Sequence, residues 1–221
     1  GLNHRAYLGQ CLGSTLAQSL SDYEVIVIDD ASLDDTPEVI ASFANRILYL
    51  HNDLNCGVSF SRNRGIAAST GEYLVFLDAD DVLFGGKLES QVRFLDIHPE
   101  FGVVYSDTVF CDMAGQDLGI RFSEVRSPYS GNVLEAVCRD NFFPVHAAMV
   151  RRRCLDAVGR FKGIYQPNED WHLWLRLAGL TPFYYENRVL CKYRVHQHNV
   201  TYDRYAMSRA NARVRLWLIN S

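Results

Sequence analysis

No segment of the 221-residue chain approaches the ~20 consecutive apolar residues that cross a bilayer. The first residues have neither the charged nor the apolar region of a signal peptide. Cys-x-x-Cys pairs are absent too. The six cysteines (Cys11, Cys56, Cys111, Cys138, Cys154, Cys191) stand far apart, which excludes a zinc ribbon and a small disulfide scaffold and fits reduced thiols in a cytoplasmic protein. Peripheral attachment at the inner face of a membrane stays open. Lys and Arg occur in ones and twos apart from Arg151-Arg152-Arg153, and the formal net charge is -4. Without a basic stripe to neutralise phosphates, a nucleic-acid partner is excluded. There is no internal repeat and no low-complexity tract, and the chain opens Gly1-Leu2-Asn3 without Met.

Against these absences stand two acidic groups, each following a hydrophobic run: Val25-Ile26-Val27-Ile28-Asp29-Asp30 and Tyr73-Leu74-Val75-Phe76-Leu77-Asp78-Ala79-Asp80-Asp81. Carboxylates that follow four or five buried-type residues mark the carboxyl ends of strands, where open α/β sheets place their ligands. Around them the pattern alternates. Ala6 to Leu20 has helical spacing (Leu8, Cys11, Leu12, Leu16, Leu20) and precedes a strand from Glu24 to Ile28. Thr36 to Ala44 predicts a helix with Thr36 as N-cap and Pro37 in its first turn, followed by a strand from Ile47 to Leu50. Val58 to Ala68 predicts a helix closed by Gly71, and Tyr73 to Leu77 the strand that delivers the second acidic group. The order is βαβα, so the fold class is α/β, with a mostly parallel central sheet and helices on both faces.

Downstream, Lys87 to Ile97 is helical, Val103 to Phe110 alternates like a strand, and Gly115 to Ser130 reads as an exposed loop. Val133 to Arg139 and Arg153 to Val158 are helical, with a strand from Ala147 to Val150 between them. Pro167-Asn168-Glu169-Asp170 opens a helix capped by Asn168 and closed by Gly179, with Leu173, Trp174 and Leu177 on one face. At 221 residues the chain fits one domain, 1–221.

Asp78 and Asp80 lie two residues apart at a strand end, a spacing that suits one hard divalent cation, Mg²⁺ or Mn²⁺, and its phosphates. Asp-x-Asp by itself equally suits a turn. Asp78-x-Asp80-x-Val82 also fits the nucleophile loop of a haloacid-dehalogenase-like phosphatase, but that loop follows a first strand, and here two strand-helix units come before it. Glu169 and Asp170 occupy a first helical turn, where the helix dipole favours the ionised form and keeps a base ready; acids there are also ordinary helix punctuation. Tyr193-Arg194-Val195-His196-Gln197-His198 follows a strand-like run; ordinary surface histidines are one reading, and on a strand Arg194 and His196, two apart, would face one side and reach a diphosphate and its metal together.

Taken together, Asp29-Asp30-Ala31-Ser32, Asn55-Cys56-Gly57 with Ser61-Arg62-Asn63, Gly71-Glu72-Tyr73 running into Asp78-Ala79-Asp80-Asp81, Asn168-Glu169-Asp170-Trp171 and Tyr193-Arg194-Val195-His196 resemble the family-two inverting glycosyltransferases of the GT-A fold. The resemblance implies a Rossmann-like domain divided into a nucleotide-sugar-binding half (1–110), an acceptor and catalytic-base half (111–200) and a C-terminal helix (201–221). It implies that Asp29 and Asp30 touch base and ribose, and that Asn55, Gly57 and Arg62 lie near the nucleotide. Asp78 would contact ribose or metal-bound water, Asp80 would ligate the cation, and Asp170 would be the general base with Glu169 its neighbour. The partners implied are a nucleotide-diphosphate sugar and a saccharide or lipid-linked acceptor. A catalytically silent nucleotide-sugar-binding module is the alternative. Such domains start with a hydrophobic strand, of which only Leu2-Asn3, at the end of its turn, is expected here.

Overall fold

The computed structural model describes residues 5–197 and 199–220; Leu2, Asn3 and His198 lie outside them. The elements run α1 (Arg5–Leu16), β1 (Ile26–Asp29), α2 (Thr36–Ala41), β2 (Leu48–His51), α3 (Val58–Ala68), β3 (Tyr73–Leu74), β4 (Val82–Leu83), α4 (Lys87–Ile97), β5 (Val103–Cys111), β6 (Asp117–Arg121), α5 (Phe122–Val125), α6 (Leu134–Arg139), β7 (Ala148–Arg151), α7 (Arg152–Val158), α8 (Glu169–Ala178), β8 (Phe183–Arg194) and α9 (Arg204–Ile219).

Six strands form one sheet in the order β3-β7-β5-β8-β4, with β6 added to β5, and β1-β2 form a separate parallel pair. The long β5–β8 ladder is parallel, from Val103 opposite Phe183 to Cys111 opposite Arg194. The short pairings of β3, β5 and β6 with their other neighbours, and of β4 with β8, are antiparallel, so the sheet is more mixed than the alternation implies. β5 shows why helices cover both faces. Val103 and Tyr105 pack with Val137 of α6 and Leu173, Trp174 and Leu177 of α8, whereas Val104, one residue out of phase, packs with Leu88 and Leu95 of α4 and with Met149.

Several local expectations shift. α1 stops at Leu16, and the hydroxyls of Ser14 and Thr15 both donate back to the Cys11 carbonyl (2.8 and 2.9 Å), competing with continuation of the helix. Asp35, not Thr36, occupies the N-cap of α2. Asn168 sits at the N-cap of α8 but makes no side-chain cap; its carboxamide donates to Asn211 of α9 at 2.7 Å. The 115–130 loop contains β6 and α5. Of the expected strand 73–77, only Tyr73 and Leu74 join the ladder, opposite Arg151 and Val150.

β1 bonds β2 along one edge. On the other side, residues 25–28 and 74–77 line a common cleft of about 2040 Å³, with Leu8 and Leu12 of α1 and Gly65 and Ile66 of α3 among its further walls. Two strand-like segments bordering one apolar cleft present the shape and the backbone groups that another strand would satisfy. An apolar strand supplied in cis ahead of Leu2 is expected to raise the melting temperature, by about 2–4 °C for each kcal/mol that its burial adds. Coincident melts with and without that strand, followed by calorimetry, would show that the cleft is not a strand slot.

Candidate active site

The strand ends and one helix start deliver their charges to the same cleft. Asp29 ends β1 and Asp30 follows it, Asp78, Asp80 and Asp81 follow residues 74–77, Arg62 projects from α3, and Glu169 and Asp170 open α8. Asn55, Gly57 and His196 line it as well.

Arg62 ties these pieces together. Its guanidinium donates to Asp78 Oδ1 at 2.7 Å and Glu169 Oε1 at 2.6 Å and lies 5.2 Å from the centre of the Phe161 ring. The side chain is only 11% exposed, and Asp78 is 41% open to the cleft. Burial works against ionising Asp78, but Arg62 outweighs it and holds the carboxyl below its usual value. Glu169 goes the other way: burial pushes it up to about 7, opposed by Arg62 and reinforced by Asp170. Its Oε2 is buried and has no hydrogen-bond partner among the described residues. Asp170 is also raised by burial, against Arg62 and two donors, Trp171 N to Oδ1 (2.7 Å) and Asn141 Nδ2 to Oδ2 (3.1 Å). The helix dipole expected to keep these acids ionised is therefore outweighed by desolvation.

A second knot centres on Asp80 and Asp81. His196 Nε2 lies 2.9 Å from Asp80 Oδ2, and the Tyr7 ring stacks on the imidazole at 5.2 Å. Asp81, 2% exposed, accepts from Arg194 N at 2.9 Å, and His146 Nδ1 stands 2.8 Å from its other oxygen, a charge contact whose angle falls short of a hydrogen bond. Burial raises Asp81, with His146 opposing. Arg194 departs from its expected role at a diphosphate. It is 1% exposed, and its guanidinium donates to the carbonyls of Asp80 (2.7 Å), Asp112 (3.2 Å) and Met113 (2.9 Å) and to the Gln10 side chain. Arg194 and His196 do converge, but on the backbone and the carboxylate of Asp80 respectively.

On the β1 side, Asp30 is engaged internally. It accepts from Asn52 Nδ2 (2.7 Å), Cys56 N (2.9 Å) and Gly57 N (2.8 Å), bonds that hold it below its usual value despite burial. Asp29 accepts from Ser32 N (3.0 Å) and Tyr49 OH (3.1 Å), with His51 Nδ1 at 3.2 Å. Between the acids and Ser32, Ala31 is left-handed at φ 64°, a strained position for a residue with a Cβ. Asn55 Oδ1 accepts from Gly57 N at 3.2 Å. Gly57 has φ 84°, and a Cβ there would lie 3.1 Å from the Gln166 carboxamide. With its oxygen facing the helix, that carboxamide accepts from Val58 N (2.9 Å) and Ser59 N (3.1 Å) and closes the N-terminus of α3.

Sequence reasoning missed Asn141, His146, Tyr7 and Gln166. His146 lies in the apolar run Pro144-Val145-His146-Ala147-Ala148, and a lone histidine there reads as core. Among the described residues no three His, Cys, Asp or Glu side chains converge on a metal position. The Asp80–His196 pair supplies two suitable donors, and a hard cation commonly takes its remaining ligands from phosphate and water, so the residues fit a divalent cation completed by its substrate.

A carboxyl raised by folding adds stability at pH values below its unfolded value, 4.5 for Glu169, and loses it as the pH rises through about 7. Glu169→Gln is therefore expected to flatten the fall in melting temperature between those values. Parallel slopes for mutant and wild type in a pH series of thermal melts would contradict this.

The family model described as Glycosyl transferase family 2 matches residues 2–159. An uncharacterized glycosyltransferase of Rickettsia prowazekii (strain Madrid E) is 27% identical over 207 residues, covering 90% of this chain and 63% of its own length. A PGL/p-HBAD biosynthesis glycosyltransferase of Mycobacterium bovis (strain BCG / Pasteur 1173P2) is 35% identical over 179 residues, covering 79% and 66%. The chain thus spans about 63% of the length of the rickettsial relative. Among solved structures, S. aureus TarS 1-349 in complex with UDP-GlcNAc superposes with a TM-score of 0.76 at 18% identity, over 96% of this chain and 62% of that one. The mannosyltransferase PcManGT from Pyrobaculum calidifontis, in complex with GDP-Man and Mn2+, gives 0.74 at 20% identity over 100% and 62%. The fold is GT-A, and the chain belongs to glycosyl transferase family 2.

Proposed function

We propose that this glycosyltransferase moves a sugar from a nucleotide-diphosphate donor to an acceptor hydroxyl with inversion at the anomeric carbon, Asp170 acting as general base. The observation that carries this is the Asp170 carboxylate at the start of α8, with one donor on each oxygen and a place on the cleft that also holds Asp29, Asp30, Asp78 and Asp80. Each oxygen keeps a lone pair for an incoming hydroxyl. As the acceptor oxygen attacks the anomeric carbon, Asp170 takes its proton and the bond from that carbon to the diphosphate oxygen breaks on the opposite face. Asp80 and His196 would hold Mn²⁺ or Mg²⁺, which would supply positive charge for the leaving diphosphate, while Asp78 stays tied to Arg62.

Asp29, Asp30, Asn55 and Gly57 border the nucleotide end of the cleft, with Asp30 shaping the 55–57 loop through its hydrogen bonds. UDP-GlcNAc and GDP-Man in the neighbouring structures support a nucleotide-sugar donor. The acceptor in this reading is a saccharide or a lipid-linked group, in polysaccharide or glycoconjugate assembly. No helix among the described residues is long and apolar enough to cross a membrane.

Asp170→Asn is expected to lower transfer by ~10²–10⁴ while donor affinity stays within about twofold, since a base acts on the acceptor. Wild-type transfer by this mutant would move the base to Glu169, and a wild type that binds donor but transfers to no acceptor would favour a silent nucleotide-sugar module. Asp80→Asn is expected to weaken Mn²⁺-dependent binding of nucleotide diphosphate by at least about tenfold with an unchanged melt, as a lost charge contact on a bound ion costs about 1.4 kcal/mol or more. Equal calorimetric affinities would remove Asp80 from the cation.

A further inference from the structure

Asn141 lies in the turn after α6, remote in sequence from every motif of the cleft, yet its carboxamide nitrogen meets Asp170 Oδ2 at 3.1 Å. The oxygen of the same carboxamide is buried and has no hydrogen-bond partner among the described residues. A buried, unpaired carbonyl is costly, so nothing on the oxygen side accounts for the amide's placement. Turning the amide over would set its oxygen against a carboxylate oxygen and leave two acceptors facing each other. The Asp170 contact therefore fixes the orientation.

Resting on the assignment of Asp170 as base, we infer that Asn141 is a positioning residue that holds the Asp170 carboxylate in its reactive rotamer. Trp171 N anchors Oδ1 from within α8, and Asn141 anchors Oδ2 from another element, so the plane of the carboxylate is fixed at both oxygens. The charged groups around Asp170 are Arg62 from α3, Asp78 from the segment after β3 and Glu169 on its own helix. Burial raises Asp170, and the Asn141 bond works against that rise. A group that served packing alone would be missed chiefly in stability. Deleting Asn141 also removes its orphaned carbonyl, so the fold is expected to tolerate the loss.

The test is carried out on the whole chain with Asn141→Ala and Asn141→Asp. The Asp170 carboxyl, followed by carbon NMR without any ligand, is expected to titrate at least about half a unit higher in Asn141→Ala and higher again in Asn141→Asp, where a second acid replaces the donor. Melting temperatures should stay within about 3 °C of wild type, which corresponds to about 1 kcal/mol. In release of nucleotide diphosphate from UDP-GlcNAc or GDP-mannose, Asn141→Ala should lose about tenfold or more in kcat with donor KM unchanged, since small misplacements of a reacting group are costly. An Asp170 titration within 0.2 units of wild type (about 0.3 kcal/mol) would overturn the inference, as would an unchanged kcat. Activity retained by Asp170→Asn would instead overturn the base assignment, so the two failures are told apart.

Discussion

Arg62 has been taken almost wholly out of water, and its two carboxylate partners come from chain segments 16 and 107 residues away. Breaking one partner of such a buried pair is costly because the other charge is left uncompensated. Here the consequence would be wider, since Asp78, Glu169 and Asp170 are brought together with Arg62 as the cation facing all three. The segment after β3, helix α3 and the start of α8 are tied to one another by this guanidinium. Acids from two distant chain segments thus share a common reference point.

Asp80 and Asp81 are fixed differently. They are gripped by Arg194 at the end of β8, through the Asp81 carboxylate and the Asp80 carbonyl, and by His146 beside Asp81. The Asp80 carboxylate lies on the cleft with the His196 imidazole beside it. Burying Arg194 among carbonyls makes it part of the scaffold on which Asp80 stands.

The parts of this site legible in the sequence were those where charge interrupts an apolar run. Asp29, Asp30, Asp78 and Asp80 stand out against strands, and Glu169 and Asp170 against an apolar helix face, because strand ends and helix starts are set by local periodicity. The burial of Arg194 is not legible in the sequence, because it depends on carbonyls from elsewhere in the chain, which no spacing reveals. β6 escaped notice because Asp117, Leu118, Gly119, Ile120 and Arg121 are all exposed and Gly119 adopts φ 72°, so the pairing with β5 leaves little hydrophobic signature. Asn141 carries no local signal, since its meaning arises only where α6 ends beside α8.

Gln166 has a consequence for how this fold handles anions. The first turn of a helix ordinarily offers a phosphate free amides and a positive dipole end. In α3 the leading amides are already taken by a neutral carboxamide from the loop that leads into α8. A phosphate arriving at the cleft would have to evict Gln166 to use them, and would disturb the approach to the helix carrying Asp170 in doing so. The fold has stoppered its own anion cradle with an uncharged side chain.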